Sequence, residues 1–235
     1  AVDFLEDLRC PFYKIASFEM TDLPLIRKVA STKKTMIIST GTSSLDEIET
    51  TYHIAKENGA SEVILLYCVS KYPADIRDFN INNIKILKEK FKCKIGLSDH
   101  SNDTRIGMMA IAAGAEIIEK HIALQNQKIG LDIDFSLKGK EILKFKDMMN
   151  STFTALGKNE FHRIETENKS KKFRRSIFTV ANIKKGEKFD KTNIRRVRPG
   201  DGLNAMYYDQ LINKKSPVAI KKNQPVTLEM VRKIL

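Results

Sequence analysis

The sequence predicts an α/β protein: five parallel strands with helical crossovers, a number that builds a doubly wound sheet but not a complete barrel, followed by a small separate module of mostly β character. Three observations lead there. Short runs rich in Ile and Val alternate with amphipathic helical stretches over residues 1–157. The runs do not alternate cleanly between polar and apolar, which is the pattern of strands covered on both faces by helices. Each of the five runs also ends in polar side chains, at the edge where α/β folds bind ligands. An open sheet concentrates its site at one switch point, so five consecutive polar ends favour a barrel mouth.

Taken in order, Val2, Leu5 and Leu8 recur at helical spacing, and the chain opens in a helix. Residues 12–17 (FYKIAS) read as the first strand. Residues 23–31 follow as a helix, capped by Thr21 or Asp22 and carrying Pro24 in its first turn. Residues 35–39 (TMIIS) form the second strand, and Ser43 or Ser44 caps a helix over 45–58 that Gly59 ends. The remaining pairs are strand 62–69 with helix 80–91, strand 93–97 with helix 104–113, and strand 116–119 with a final helix over 140–156. Five strands are too few for a complete eight-fold barrel. Residues 158–172 are polar and charged and read as a linker. Residues 173–235 form the small module, with strands at 178–180 and 195–198. Within it, 182–189 (NIKKGEKF) and 219–226 (AIKKNQPV) resemble each other as a basic turn followed by a strand, each leading into a helix start, at 190 and at 227.

Composition narrows the function classes. With 42% hydrophobic and 30% charged residues the chain is of ordinary globular type, and no run approaches the roughly 18 apolar residues that span a bilayer. Three scattered cysteines, Cys10, Cys68 and Cys93, point to reduced thiols in a cytoplasmic protein and away from a disulfide framework or a zinc site. Residues 169–235 hold 18 Lys and Arg against 5 Asp and Glu, whereas residues 1–168 hold 23 against 24. Such a basic module binds nucleic acid, is simply a solvated face, or helps to hold an anionic small substrate. The absence of any zinc-finger, helix-turn-helix or RNA-recognition signature favours the last.

The chemistry-bearing residues cluster at the strand ends. His100 and His121 follow two consecutive strands, beside Asp99 and Glu119. If those strands are neighbours, both imidazoles reach one point and suit a borderline divalent ion such as Mn²⁺, Co²⁺ or Zn²⁺; the alternative is two ordinary polar loop residues. Lys14, Ser17, Ser39, Thr40, Ser70, Tyr72 and Ser98 supply one cation and several hydroxyls from different strands, as a phosphate requires, although Ser and Thr at these places also cap helices. Glu19 lies two residues past Ser17 as a general base or sugar ligand, or as a surface turn residue. Asp132 and Asp134 are hydroxyl acceptors in GLDIDFSL, and Arg198 precedes a Pro-Gly turn in RVRPGDGL, a setting in which arginine recognises carboxylates or amides.

On these segments the chain resembles the sialic-acid synthase family, the bacterial nonulosonate synthases. The resemblance rests on PFYKIASFE (11–19), MIISTGTSS (36–44), LLYCVSKYPA (65–74), IGLSDHS (95–101), GAEIIEKH (114–121), GLDIDFSL (130–137), FRRSIFTVANIKKGE (173–187) and RRVRPGDGL (195–203). It implies a TIM barrel, here its last five strands, followed by an antifreeze-like SAF domain, and a domain-swapped homodimer with no nucleic-acid or membrane partner. It implies a metal, Mn²⁺ before Co²⁺, Mg²⁺ or Zn²⁺, on His100 and His121. Phosphoenolpyruvate falls to Lys14, Ser17, Ser39 or Thr40, Ser70, Tyr72 and Ser98. The acid near the reacting centre is Glu19, and the sugar ligands are Asp132 and the partner-donated Arg198. KIASFE with SDH is most similar to the branch that condenses phosphoenolpyruvate with a 6-deoxy diacetamido hexose to give pseudaminic acid and phosphate, with N-acetylneuraminate or legionaminate synthesis as the alternative. Leu131, Ile133 and Asp134 depart from the family's usual Pro and small residues, and leave the sugar open.

The resemblance further implies that family members carry about 100 residues and three more barrel strands ahead of this segment. The chain alone is therefore expected to be marginal in stability, aggregation-prone and inactive, because an open arc exposes sheet edges that a closed barrel hides. Two other readings remain: an inactive basic binding or structural module, and an aldolase-like enzyme using Lys120 as a Schiff-base lysine.

Overall fold

A parallel sheet needs helical crossovers, and the chain supplies one after every strand. The computed structural model describes all 235 residues. After α1 (Val2–Asp7) come β1 (Phe12–Ile15), α2 (Leu23–Ala30), β2 (Thr35–Ser39), α3 (Leu45–Glu57), β3 (Val63–Cys68), α4 (Asn82–Phe91), β4 (Ile95–Asp99), α5 (Arg105–Ala112) and β5 (Ile117–Lys120). The five strands pair in parallel in sequence order. A two-residue pair follows, β6 (Ile122–Ala123) with β7 (Leu137–Lys138), and then α6 (Lys140–Leu156). The chain divides into two compact units, Ala1–Lys158 and Asn159–Leu235.

The caps lie where the sequence places them. Asp22 accepts from Leu25 N, Pro24 lies in the first turn of α2, and Ser44 forms a reciprocal capping box with Glu47. Each such cap is worth about 1 kcal/mol. In the barrel segment β1 ends at Ile15, short of the expected residue 17, which opens a 3-10 turn, and β4 runs over Ile95–Asp99 and not over 93–97. Lys92 closes α4 in the left-handed region, so Cys93 and Lys94 serve as the connection. Ser98 and Asp99, poor strand formers by propensity, are held in the ladder by partners on β5.

Strand alternation gives the sheet two distinct faces. Tyr13, Ile15, Met36, Ile38, Val63, Leu65, Ile95 and Leu97 are buried in one core with Ile26, Val29, Ile48, Ile84, Leu87 and Ile106 of the helices. The opposite face carries Lys14, Ser39, Cys68, Ser98 and Glu119 towards the strand ends, above an apolar layer that includes Ile64 and Leu66. This face is concave: Lys14 Nζ on β1 lies 3.6 Å from Glu119 Oε1 on β5. In a flat sheet those strands would be about 19 Å apart, at roughly 4.8 Å per step, beyond the combined reach of the two side chains. The five strands are therefore curled into a half-barrel.

The second unit begins with α7 (Glu165–Lys169) and contains the antiparallel pair β8 (Ser176–Thr179) and β9 (Ile194–Val197), then α8 (Tyr208–Leu211) and α9 (Leu228–Val231). Ile177, Phe189, Ile194, Leu211, Val226 and Val231 are fully buried at its centre. The two resembling segments pair with each other: Ile183 N donates to Ile220 O and Ile220 N to Ile183 O, both at 2.8 Å. They form isolated bridges where strands were expected. Of the two helix starts, Thr227 caps α9, whereas Asp190 closes a turn by accepting from Thr192 N and Asn193 N.

Candidate functional site

The concave face brings most of the strand-end residues into one connected cluster. Lys14 Nζ donates to Ser39 Oγ at 2.8 Å and pairs with Glu119. Ser98 Oγ donates to Glu119 Oε1 at 2.6 Å. Beside them, Ser17 Oγ accepts from Gly41 N at 3.1 Å and contacts Cys68 Sγ at 3.5 Å, and Ser70 Oγ lies 3.8 Å from the same sulfur. A Cβ on Gly41 would sit 2.2 Å from Ser70 Oγ and 2.8 Å from Ser17 Oγ, so that space is open only because residue 41 is glycine. One ammonium and hydroxyls from four strand ends converge here, the kind of donor set that can hold an anion.

His100 and His121 stand at the other end of the cluster. Their ring centroids are 5.3 Å apart, Tyr72 lies 4.3 Å from His100, and Phe135 lies 5.1 Å from His121. His100 Nδ1 is 3.0 Å from Val69 O. A carbonyl only accepts, so Nδ1 carries the hydrogen in the neutral ring and Nε2 keeps its lone pair. Nε2 lies 3.4 Å from Ser98 Oγ, whose hydrogen already goes to Glu119. That lone pair is thus left for an electrophile, the arrangement usual for a metal-ligating histidine. The residues fit a divalent ion, which the two facing imidazoles would hold. No group of three or more His, Cys, Asp or Glu side chains forms a closed metal site.

Charge states follow the packing. Burial pushes the Cys68 thiol up, but the hydrogen bonds from His100 and Ser17 outweigh it and the net direction is down. Burial likewise pushes His100 down, but the hydrogen bonds to Cys68 and the Val69 carbonyl, with the charges of Cys68 and Asp99, together outweigh it for a net rise. His121 falls below its ordinary value through burial and the proximity of His100, with Asp132 and Glu119 opposing. A neutral imidazole at His121 is the form that binds metal. Burial, then the charge of Cys68, raises Tyr72.

Other expected residues lie outside the cluster or at its rim. Thr40 turns to the helix side, donating to Leu66 O at 3.1 Å and lining a small cavity with Ile48 and Leu87, so Ser39 is the member of that pair on the site face. Glu19 is exposed, and its carboxylate accepts from Ala16 N at 3.3 Å across its own turn. Asp132, with φ 63°, reaches within 3.7 Å of His121 Nδ1, whereas Asp134 lines a separate cavity with Lys120 and Lys138. In the second unit Arg198 shares a cavity of about 920 Å³ with Arg175, Lys191, Arg195 and Arg196. The loop after it is pinned by Ser176, which donates to Pro199 O at 2.7 Å and accepts from Gly202 N. Lys120 points to the helix side and pairs with Asp99 at 3.0 Å, which removes it as a nucleophile at the mouth. Glu119 and Cys68 were not singled out as site residues from the sequence. Strand alternation would have found them, since each lies two residues before a polar residue of the same cluster, His121 or Ser70.

Comparison with known proteins shows the family. Residues 1–161 match the NeuB family and residues 174–232 match the SAF domain. A pseudaminic acid synthase of Campylobacter jejuni is 39% identical over 94% of this chain and 64% of its own length. An N,N'-diacetyllegionaminic acid synthase of the same species is 35% identical over 91% of this chain and 65% of its own. The chain thus spans about two thirds of the curated relatives it matches. A spore coat polysaccharide biosynthesis protein E from Chromobacterium violaceum shares the fold with a TM-score of 0.80 at 24% identity, over 97% of this chain and 70% of that one.

Proposed function

Because the chain belongs to the NeuB family and carries a SAF domain behind the barrel segment, we propose that it serves the condensation of phosphoenolpyruvate with an acylated amino sugar. The favoured sugar is 2,4-diacetamido-2,4,6-trideoxy-altrose, and the products are pseudaminic acid and phosphate. The observation that carries this reading is the single cluster in which Lys14 and its hydroxyl neighbours stand beside the facing His100 and His121. Relatives named as pseudaminic acid synthases support the choice of sugar, and a legionaminate synthase at 35% identity keeps the second reading in play.

In the proposed reaction C3 of phosphoenolpyruvate bonds to the aldehyde carbon, a water oxygen bonds to C2, and phosphate leaves with the bridging oxygen. Lys14, Ser39, Ser17 and Ser70 hold the phosphate and carboxylate, so the two substrates meet already oriented. His100 and His121 would hold a divalent ion, Mn²⁺ before Co²⁺, Mg²⁺ or Zn²⁺, which would supply Lewis acidity to the condensation. Glu119 is the carboxylate inside the cluster and the better-placed proton acceptor for the attacking water; Glu19 takes that role only by leaving its own turn. Tyr72 stacks beside His100, and Asp132 accepts from sugar hydroxyls next to His121. Arg198, among the cations of the second unit, reads the anionic or amide groups of a substrate in a homodimer whose small domains cap the partner's barrel. No helix is long and apolar enough to cross a membrane, and synthesis in the cytoplasm is part of this proposal.

The test is phosphate release with Mn²⁺ and phosphoenolpyruvate against three sugars: the altrose derivative, its legionaminate counterpart and N-acetylmannosamine. It is run on the chain alone and joined to whatever its reading frame encodes ahead of Ala1. Preference for the altrose derivative is expected. Preference for another of the three reassigns the sugar, and silence with all three in the folded longer form overturns the reading.

A further inference from the structure

Three successive residue pairs meet across β4 and β5. Ser98 opposes Glu119 and Asp99 opposes Lys120, while His100 and His121 come next beyond the ladder. The first and third pairs face the concave side, joined by a 2.6 Å hydrogen bond and by rings 5.3 Å apart. The middle pair faces the helices. There the Asp99 side chain is 0% exposed and that of Lys120 6%, at 3.0 Å. Both Asp99 oxygens are used, Oδ2 by Lys120 and Oδ1 by Ser101 N at 2.8 Å. Lys120 Nζ also donates to Ser101 O, the carbonyl just past His100. Ala74 N donates to His100 O at 3.1 Å, which ties the loop bearing Tyr72 to the same point.

We infer that the Asp99–Lys120 pair is a positioning device for the site, a charged clamp on the reverse side of the sheet that fixes register and backbone direction where His100 and His121 leave their strands. A slip of one residue would turn every side chain of a strand to the other face. The strand ends are where that slip is least resisted, because the ladder stops at Asp99 and Lys120. An apolar pair of similar volume would fill the space and spare the desolvation of two charges. What it would not do is hold the turn at Ser101 through directed bonds to both its N–H and its C=O. The clamp therefore sets orientation more than stability. The inference rests on the proposed metal role of the histidines only for its second readout below.

The test uses the full chain with labelled histidine. In the parent, proton–proton cross-relaxation between the His100 and His121 rings, assigned with His100→Gln and His121→Gln, reports their facing geometry. Asp99→Asn keeps volume and the acceptor for Ser101 N but removes the charge pair; Asp99→Leu with Lys120→Met removes both charges. Both variants are expected to lose the inter-ring signal several-fold. Mn²⁺ affinity, read from the spin-resonance signal of free Mn²⁺, falls on the order of 10- to 100-fold. The thermal midpoint of the double variant stays close to the parent, and Lys120→Arg, which keeps the pair, retains the signal. A folded double variant with inter-ring signal and Mn²⁺ affinity unchanged overturns the clamp. If the double variant does not fold, Asp99→Asn decides on the same readouts. A parent that shows the ring signal without binding Mn²⁺ sinks the metal role, and the clamp is then judged on the ring signal alone.

Discussion

Lys14 Nζ and Glu119 Oε1 lie 3.6 Å apart although they stand on the first and fifth strands of one sheet. The contact spans the concave face of the half-barrel and joins the proposed phosphate-binding side chains to the carboxylate beside the histidines. Replacing Lys14 by Met removes the only cation on that face that meets Ser39 and Glu119 together. Loss of a hydrogen bond to a charged group is worth about 1.5–3 kcal/mol, so kcat/KM for phosphoenolpyruvate is expected to fall on the order of ten- to hundredfold. Thermal stability should change little, because Ser98 still satisfies Glu119, whose side chain is 40% exposed. Steady-state kinetics with a parallel unfolding curve checks both. A large stability loss with unchanged phosphoenolpyruvate kinetics would make Lys14 a structural residue.

Gly41 tests the proposed phosphate site from its floor. A methyl group there meets Ser70 Oγ at 2.2 Å and Ser17 Oγ at 2.8 Å. Serine hydroxyls rotate, so Gly41→Ala is expected to fold with a stability cost at or below the roughly 1–3 kcal/mol of an overpacked core. The KM for phosphoenolpyruvate should rise at least several-fold, while Mn²⁺ affinity at the histidines stays near the parent. An unchanged KM would remove Ser17 and Ser70 from the phosphate site.

Much of this was legible in the sequence, and the exceptions share a cause. The five strands, the caps Asp22 and Ser44 and the helix Lys140–Leu156 follow from periodicity and capping chemistry, which are local. The choice between Ser39 and Thr40 was not local, because it depends on which residue of the strand end faces the concavity. The place of Glu119 and Cys68 in the cluster was not local for the same reason. Their meaning comes from register with Ser98 on the neighbouring strand and, for Glu119, from the curl that brings Lys14 across. The end of β4 was misjudged because Ser98 and Asp99 are stabilised by partners about twenty residues away and not by their own propensity.

The N-terminal helix is tied to β1 by a group with a shifted titration. Tyr13 Oη donates to Glu6 Oε1 at 2.5 Å, and Lys34 Nζ bonds the same oxygen at 2.6 Å. Burial, with the Glu6 hydrogen bond behind it, pushes Tyr13 up to about 12 from 10.0. A raised folded value means that its contribution to stability is fully present below pH 10.0 and is lost as pH rises through about 12. Glu6 has the opposite sign. The hydrogen bond from Lys34, followed by that from Tyr13, holds it below the usual 4.5, so its contribution is present above 4.5 and lost as pH falls through the folded value. Unfolding curves across pH are expected to show an alkaline loss that Tyr13→Phe removes and an acid-side loss that Glu6→Gln reduces. Tyr13 ionising near pH 10 in the folded protein would contradict the assignment.

Lys120 is expected to form no borohydride-stable adduct with pyruvate. Its ammonium is bound to Asp99 and to Ser101 O on the helix side of the sheet, with a side-chain exposure of 6%. Mass spectrometry of a trapped digest checks this directly. A modified peptide containing Lys120 would revive the Schiff-base mechanism and remove the metal from the proposed chemistry.

One concave face is proposed to hold phosphate and metal together. A crystal of the chain grown or soaked with Mn²⁺ and phosphoenolpyruvate, with anomalous data collected at the manganese edge, tests it most directly. The predicted result is an anomalous peak bound by His100 and His121, with the phosphate against Lys14, Ser39 and the Ser17–Ser70 hydroxyls. Manganese bound elsewhere, or phosphoenolpyruvate found only among the arginines around Arg198, would contradict it.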